Sequence, residues 1–348
     1  MTMIPGSILY RLFFASLLFV SALSSCKRES KADAAFYYWK QTLTLNKTQH
    51  QVLDEVAAGK LYLRFFDIKW DAYAGKAHPE AIISFKEPVK TTKLTPVVFI
   101  TNQTFEKLSM AGVDSLAMQS NTLLQHLAQA QKISYQNVQF DCDWSLGTKD
   151  KYFQFLKSFK AISKKQLEAT IRLHQVKYQV RTGIPPVDRG ILMFYNMGKL
   201  SAKPEDPNSI YNPKDAATYI SYLPKYGLPL DIALPLFSWS IHIRNGEIIQ
   251  VYGKIGKKEL NNTENFQPTA HKNVYKALRS FFTGGIYVKT DDLFKLEETD
   301  KALLEQAAIQ LAEHLNKKEH KTIIYYEIGN LNISTFKTKD FEEISAHF

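Results

Sequence analysis

Short apolar runs alternate with amphipathic or polar segments along most of the chain. Several of the intervening segments carry apolar residues at helical spacing, most clearly 109–131 and 299–318. The apolar runs are rich in aromatic and β-branched residues, which is typical of strands that are buried on both faces. Eight such strands are predicted, at 60–68, 95–101, 137–143, 167–175, 189–197, 228–239, 284–291 and 321–329.

This alternation of strands and helices predicts an α/β fold, namely a (β/α)8 TIM-like barrel that forms a single domain over 36–348. The right-handed crossover rule favours closure of the barrel by parallel strands. Two segments depart from the repeat. No helix is predicted in 176–188, and 240–270 is interpreted as a hairpin or lid inserted after the sixth strand. An open α/β sheet with an appended hairpin is the alternative.

The first 25 residues have the pattern of a secretory signal peptide, which is excluded from the fold. Arg11 is followed by an apolar run that is too short to span a bilayer comfortably. Small residues then lead to Cys26. The segment "LSSC" (23–26) resembles the lipobox of bacterial lipoproteins, which implies that Cys26 is lipidated and begins the mature chain. The polar stretch 26–35 is then expected to be a tether.

The residue after the cysteine bears on location. By resemblance to lipoprotein sorting, Lys27 in place of aspartate implies the outer membrane of the cell envelope, with the periplasmic and surface faces both open. If Cys26 carries lipid, Cys142 is the only thiol left, so no intramolecular disulfide is expected. The fold must then be stabilised by its apolar core.

The net charge limits the partners. The formal charge is +10, and it falls to +9 once Arg11 leaves with the signal. The basic residues are spread along the chain, so a nucleic-acid partner is not expected. Anionic lipid or an acidic glycan fits an exported protein better, and a generally basic solvated surface is the alternative.

Two carboxylates lie two residues apart at the end of the third predicted strand. In "VQFDCDWS", Asp141 and Asp143 take alternate positions and share one face, about 6–7 Å apart. Cys142, between them, is expected to pack outward as a small apolar residue. Arg172 and His174 share a face at the end of the next strand. An Asp–Asp–Arg–His cluster is therefore predicted at the barrel mouth, and an ion network that only closes the barrel top is the alternative.

Other polar and aromatic residues are predicted to ring the same mouth, because the active sites of such barrels lie at the C-terminal ends of the strands. They are Arg64 and Asp67 on the first strand, Tyr195 and Asn196 on the fifth, Trp239 on the sixth, Asp291 on the seventh and Glu327 on the eighth. Trp239 is interpreted as a sugar platform, because apolar sugar faces stack on indole rings. A tryptophan at the edge of the core is the alternative.

Several catalytic motifs are absent from the sequence. It contains no H-E-x-x-H, G-x-S-x-G, Walker, C-x-x-C or G-x-G-x-x-G pattern. His174 has no histidine at metal-ligand spacing, although Asp141, Asp143 and His174 could together hold a hard cation. We therefore expect no cofactor and no resident metal.

The stretch "FDCDWS" resembles the strand motif D-x-x-D-x-D-x-E of chitinase-type (β/α)8 barrels. Asp141 and Asp143 match its middle two acids. Ser145 stands where the family has its general-acid glutamate, and the strand is third in the predicted order, not fourth. The runs "RGILMFYNMG" and "ALPLFSW" also resemble glycosidase-like lipoproteins of Gram-negative bacteria, a likeness that implies no particular activity.

Two functions follow as hypotheses. The first is a lipid-anchored, glycan-active barrel in which Asp143 is the base or nucleophile, Asp141 its electrostatic partner and Glu327 the acid. The predicted substrate-binding residues are Arg172, His174, Tyr195, Asn196, Trp239, Asp67 and Arg64. The second is a non-catalytic lipoprotein on a degenerate barrel that binds carbohydrate or assists envelope assembly, which Ser145 favours. In both, the partners are a glycan or other small polar ligand and the membrane.

Overall fold

Eight parallel strands close into a barrel in the computed structural model, which describes residues 32–89, 91, 93–283, 285–317, 319–329 and 335–348. The strands are β1 Ala32–Tyr38, β2 Leu61–Asp71, β3 Leu94–Ile100, β4 Asn137–Asp141, β5 Gln166–Arg172, β6 Arg189–Met193, β7 Leu230–Pro235 and β8 Lys321–Tyr326. Neighbours in sequence are neighbours in the sheet, and β1 pairs in parallel with both β2 and β8. The predicted (β/α)8 barrel is therefore confirmed.

Helices connect most of these strands on the outside of the barrel. The described helices are α1 Lys47–Ala57, α2 Asn102–Lys107, α3 Met110–Ala130, α4 Lys149–Ser163, α5 Leu173–Lys177, α6 Gln179–Thr182, α7 Pro213–Ile220, α8 Lys257–Leu260, α9 Lys301–Ala312 and α10 Thr338–Ser345. Of these, α8 lies between strands of the second sheet described below, and α10 follows β8. A short 3-10 helix covers Leu223–Lys225. In the part of the chain that the structure describes, no helix is long and apolar enough to cross a bilayer.

The connection from β2 to β3 consists of strands. The end of β2 pairs with an antiparallel strand, Lys76–Glu80, and the short strands Thr42–Leu43 and Ser84–Phe85 pair with each other.

Two short helices, α5 and α6, occupy part of 176–188, where the sequence predicted none. The prediction failed there because four or five residues are too few to show a helical period.

Local sequence explains where the helices begin. Asn46 accepts a hydrogen bond from the Gln49 backbone N–H at 2.9 Å, and the Gln49 side chain accepts one from the Asn46 N–H, so α1 starts with a capping box. Asp300 caps α9 by accepting a hydrogen bond from the Leu303 N–H.

The outer core lies between such helices and the strands. On α4, for example, Phe155 and Phe159 contact the Phe140 ring edge-on.

The predicted set of eight strands needs two corrections: one barrel strand was missed, and one predicted strand lies outside the barrel. The barrel begins with β1, whose first residues 32–35 had been assigned to the tether, and the predicted seventh strand, 284–291, is not part of the barrel. The segment β1, "ADAAFYY", was missed because it contains three alanines and an aspartate and lacks β-branched residues. With β1 counted, Asp141 ends the fourth barrel strand. The signal segment 1–25 and Cys26 lie outside the described residues.

A second sheet is inserted between β7 and α9, and we call residues 239–297 the inserted sheet. Its antiparallel strands are, in order, Glu247–Tyr252, Trp239–Arg244, Leu293–Glu297, Val274–Ala277 and Phe266–Pro268. It has its own apolar core, which includes Leu260, Phe266 and Phe294. The predicted hairpin is its first part. The apolar run in 284–291 misled the prediction because it forms a small hairpin, Phe281–Thr283 with Ile286–Val288, within this insertion.

Candidate functional site

A cavity of about 400 Å³ opens at the C-terminal mouth of the barrel. All eight strands, or the loops that directly follow them, contribute to its wall. The lining residues are Tyr37, Trp39, Arg64, Asp67, Phe99, Gln139, Asp141, Thr170, Arg172, Met193, Tyr195, Asn196, Phe237, Trp239 and Tyr326. Seven of the ten predicted catalytic or substrate-binding residues, Asp141 among them, therefore meet at the wall of one cavity.

Asp141 is the buried carboxylate of this cavity. It is the last residue of β4, only 7% exposed, and its Oδ1 accepts a hydrogen bond of 2.7 Å from the Thr170 hydroxyl on β5. Burial raises the pKa of Asp141 to about 6, because the effect of desolvation exceeds the opposing effect of the Thr170 hydrogen bond. Asp143 raises this pKa further. Asp141 can therefore take up or release a proton in mildly acidic solution.

Asp143 is held by an arginine from the neighbouring strand. Arg172 donates from Nε to Asp143 Oδ1 at 2.6 Å and from a terminal nitrogen to Oδ2 at 2.8 Å. Burial would lower the pKa of Arg172, but this bidentate bond raises it overall. Asp143 lies in the loop after β4 with its side chain 53% exposed, and it is not among the lining residues. Its two oxygens are occupied, which weakens its predicted role as a base or nucleophile.

Arg64 and Asp67 form a second bidentate pair on β2. Residues three apart on a regular strand point to opposite faces, but the register of β2 shifts between Arg64 and Phe66, and this irregularity turns both side chains into the mouth. Arg64 also donates to the Trp39 carbonyl at 3.0 Å, and its guanidinium lies 5.5 Å from the centre of the Trp39 ring. Trp39 was missed because it follows the unpredicted strand β1.

Aromatic side chains form much of the cavity wall. Tyr195 stacks on Tyr326 with their ring centres 5.7 Å apart, and Tyr326 contacts Trp39 at 5.5 Å. Phe237 and Trp239 continue the wall, 5.3 Å apart. The Tyr195 hydroxyl is buried, and it has no hydrogen-bond partner among the described residues. It is therefore a donor in the cavity wall that is left for a ligand.

The inserted sheet holds Trp239 in place. Trp239 begins the first strand of this sheet, opposite Glu297 at the end of the last one. The indole N–H donates to Glu297 Oε2 at 2.9 Å, and Ser209 donates to the same oxygen from its backbone at 3.1 Å and from its hydroxyl. Glu297 is 2% exposed, and its Oε1 lies 3.3 Å from Lys295 Nζ. Sequence reasoning missed Glu297, because only the strand pairing brings it to Trp239.

Three predicted mouth residues lie elsewhere. Glu327 lies just beyond the end of β8 and is not among the lining residues, because its side chain is directed at the backbone of Trp39, whose N–H its Oε2 accepts at 2.8 Å. His174 is exposed and belongs to α5, because β5 ends at Arg172. Asp291 belongs to the inserted sheet and pairs with Lys276 at 2.7 Å. The barrel mouth thus lacks the acid that a two-carboxylate mechanism would take from Glu327.

Ser145 does not supply that acid. It is exposed in the loop after β4, and its hydroxyl lies 3.2 Å from the Thr148 hydroxyl. The proposed hard-cation set of Asp141, Asp143 and His174 is not assembled either. Within the described ranges, no three His, Cys, Asp or Glu side chains are grouped to hold a metal ion. Cys142 packs outward into the core between strands and helices, as expected.

No protein-family profile matches the sequence, and no curated protein does. Solved structures do share its fold. The spore cortex-lytic enzyme SleL of Bacillus cereus is 16% identical over 91% of this chain and 74% of the enzyme, with a TM-score of 0.51.

Two further structures are chitinase-like. A GH18 chitinase from Cycas revoluta in complex with (GlcNAc)4 is 10% identical over 90% of this chain and 99% of its own, with a TM-score of 0.52. A chitinase-like agglutinin from Robinia pseudoacacia is 11% identical over 90% and 98%, with a TM-score of 0.50. At such identities the likeness establishes the fold alone: the chain has the glycosidase-like (β/α)8 barrel of chitinase-type proteins.

Proposed function

We propose that the protein binds a neutral glycan in the mouth cavity and does not hydrolyse it. The observation that carries this proposal is the combination of an aromatic wall with charges that are already paired. Arg64 is engaged by Asp67 and Arg172 by Asp143, so neither arginine is left to attract an anionic ligand. A ligand that gains from stacking and hydrogen bonding, and needs no counter-ion, fits such a wall.

Each part of the wall has a use in this proposal. Trp239, Trp39 and Tyr326 offer ring faces and edges to the apolar faces of sugar rings. The unpartnered Tyr195 hydroxyl donates to a ligand oxygen, and Asn196 offers both a donor and an acceptor. Asp141 accepts from a sugar hydroxyl when ionised and donates when protonated.

The structural relatives suggest which glycan to test first. One is a chitinase in complex with (GlcNAc)4, and another is an agglutinin with a chitinase-like fold. We therefore propose oligosaccharides of N-acetylglucosamine as the first ligand class. The absence of hydrolysis rests on this chain's own residues: Ser145 is not an acid, Glu327 points away from the cavity, and Asp143 is bound by Arg172.

Glycan hydrolysis is the second candidate, and one observation favours it. The pKa of Asp141 is raised to about 6, so this side chain is partly protonated in mildly acidic solution, as a general acid must be. The cavity would then work with one free carboxyl group, and the second group of a retaining or inverting mechanism would have to come from the ligand.

One experiment separates the two candidates. The full-length protein is incubated with a panel of oligosaccharides that includes (GlcNAc)4, and binding and product release are both measured from pH 5 to pH 8. Binding without product supports the proposal. Product release that disappears in Asp141→Asn would establish the second candidate instead, and the absence of binding to every glycan would overturn both.

We also propose that Cys26 carries lipid and anchors the protein in the cell envelope, with the outer membrane as its location. The sequence pattern supports this: an apolar run ends in Leu23-Ser24-Ser25-Cys26, and Lys27 follows. Several acyl chains on one cysteine give stable attachment, whereas a single chain gives only marginal binding.

A further inference from the structure

Lysines are concentrated at the end of the barrel opposite the cavity. Because the barrel strands are parallel, the turns that lead into them all lie at this end, which we call the N-terminal face. Lysines occur in the turns before five of the strands: Lys60 before β2, Lys93 before β3, Lys132 before β4, Lys164 and Lys165 before β5, and Lys317 before β8. The mouth, in contrast, contains arginines that are each bound by an aspartate.

Four lysines border one shallow hollow of about 540 Å³ on this face. Lys157 and Lys160 lie three residues apart on the last turns of α4, so they project from one side of the helix, and Lys164 and Lys165 follow directly after the helix ends. We call these four residues the lysine patch. Ala161 and Pro186 form the floor between them.

Most of the patch's charge is not neutralised within the protein. Lys160 pairs with Asp188 at 2.6 Å. Lys165 instead donates to the Tyr135 carbonyl at 2.8 Å, which leaves its charge unopposed. Lys157 and Lys164 are exposed, and neither lies within 4.0 Å of a carboxylate in the described ranges. The patch therefore presents a net positive charge to solvent.

The acidic residues of the same face are mostly engaged. Asp33 lies 3.1 Å from His320, and Glu319 lies 3.5 Å from Arg189. Glu313, at the end of α9, is exposed and opposes part of the positive charge. The lysines of these turns and of α4 outnumber exposed acids of the face such as Asp33, Asp54 and Glu313, so the face as a whole attracts anions.

The direction of the chain places the proposed anchor at this end. β1 runs from the N-terminal face to the mouth, and its first residue, Ala32, lies beside Lys321 at the start of β8. Cys26 precedes Ala32 by six residues, which span at most about 20 Å when extended. A lipid on Cys26 would therefore keep the N-terminal face, and not the mouth, close to the bilayer.

We propose that the lysine patch docks on the phosphate groups of anionic lipids, so that the glycan cavity faces away from the membrane. This inference rests on the proposed lipid anchor, but not on the identity of the glycan. Lysines near an anionic surface are attracted over about a Debye length, roughly 8 Å in physiological salt. A tether of at most about 20 Å leaves the N-terminal face close enough to the bilayer for the patch to come within that distance. The attraction then orients the barrel as well as adding to its attachment.

Lysine labelling of the full-length protein in vesicles tests this orientation. The protein is reconstituted into phosphatidylcholine vesicles with or without phosphatidylglycerol, treated with a membrane-impermeant amine reagent, and analysed by peptide mass spectrometry. In anionic vesicles at low salt, labelling of Lys157 and Lys164 is expected to fall about fivefold, and high salt restores it. Lys254 and Lys258 of the inserted sheet, both exposed, should label equally in all vesicles.

A charge-reversal variant tests the patch itself. Lys132 and Lys165 lie on the same face, so they too should be protected in the wild type by anionic vesicles. This protection should be lost in Lys157→Glu/Lys164→Glu and kept in Lys254→Glu/Lys258→Glu. Equal labelling of the patch in neutral and anionic vesicles would overturn this inference and leave the anchor standing. A protein that floats with neither kind of vesicle would overturn both, and flotation with anionic vesicles alone would reject the anchor and, with it, the orientation that depends on the anchor.

Discussion

The indole N–H of Trp239 donates to Glu297 at 2.9 Å, and this bond joins the first and last strands of the inserted sheet across 58 positions of sequence. One carboxylate thereby fixes an aromatic wall of the cavity and the base of the insertion. Glu297 also accepts from Ser209 and pairs with the buried Lys295, so the whole group depends on it.

Glu297→Ala should therefore lower both stability and glycan affinity. It leaves the charge of Lys295 buried without its carboxylate, which costs about 3–5 kcal/mol, and it frees the Trp239 ring to turn. Denaturant unfolding and glycan titration measure the two effects. Glu298→Ala is the matched control, because Glu298 pairs with the exposed Lys257 and should cost less than about 1 kcal/mol. Equal losses in the two variants would refute the role given to Glu297.

Tyr195→Phe should change stability and binding in opposite directions. It removes a buried hydroxyl that has no partner among the described residues, so the free protein should be as stable as the wild type or more so. Glycan affinity should fall about tenfold, since a donor to the ligand is lost. Tyr152→Phe provides the control: its hydroxyl is also buried and unpartnered in the described chain, but it lies in the outer core, so affinity should not change.

The pH dependence of stability should reveal Asp141. Because the pKa of Asp141 is raised to about 6, the folded protein keeps the Asp141 proton between about pH 4 and pH 6. In this range the unfolded chain has already released it. The stabilisation is complete below about pH 4 and is lost as pH rises through 6, a decrease of about 2–3 kcal/mol. Asp141→Asn should remove this decrease, as judged by denaturant unfolding at each pH. Parallel curves for the variant and the wild type would contradict it.

Cys26→Ser should release the protein from the membrane without affecting the fold. Cys26 precedes β1 and lies outside the described residues, so the contacts described for the barrel are made without it. Cell fractionation should show the variant in the soluble fraction or as unprocessed precursor. A variant that is processed and still pellets with membranes after a high-salt wash would refute the lipid anchor.

Much of the barrel was predictable because its strands are apolar on both faces and therefore stand out as runs, as in β3 and β6. β1 was not predictable in this way, since Ala32, Asp33, Ala34 and Ala35 give it low local strand propensity. It is stabilised by pairing on both sides, with β2, the next barrel strand, and with β8 near the other end of the chain. Tertiary pairing thus outweighs local preference.

The candidate site was predictable to the extent that it follows strand alternation. Asp141, Arg172 and Tyr195 were placed at the mouth from the positions where their strands end, and they line the cavity. Glu327 was misplaced because the eighth strand ends at Tyr326, one residue earlier, so strand alternation does not govern its direction. Glu297 and Trp39 depend on long-range pairing and on a missed strand, and no local pattern indicates either.

The most direct test of the glycan site is a calorimetric titration of the wild type, Trp239→Ala and Trp70→Ala with (GlcNAc)4. Trp239 lines the cavity, whereas Trp70 is paired with Ala77 near the end of β2 and is not a lining residue. Trp70→Ala is therefore the control for the loss of an indole ring elsewhere in the protein. Binding is expected for the wild type and for Trp70→Ala, whereas the affinity of Trp239→Ala should be at least about tenfold lower, or about 1.4 kcal/mol. Equal affinities for all three proteins would contradict it.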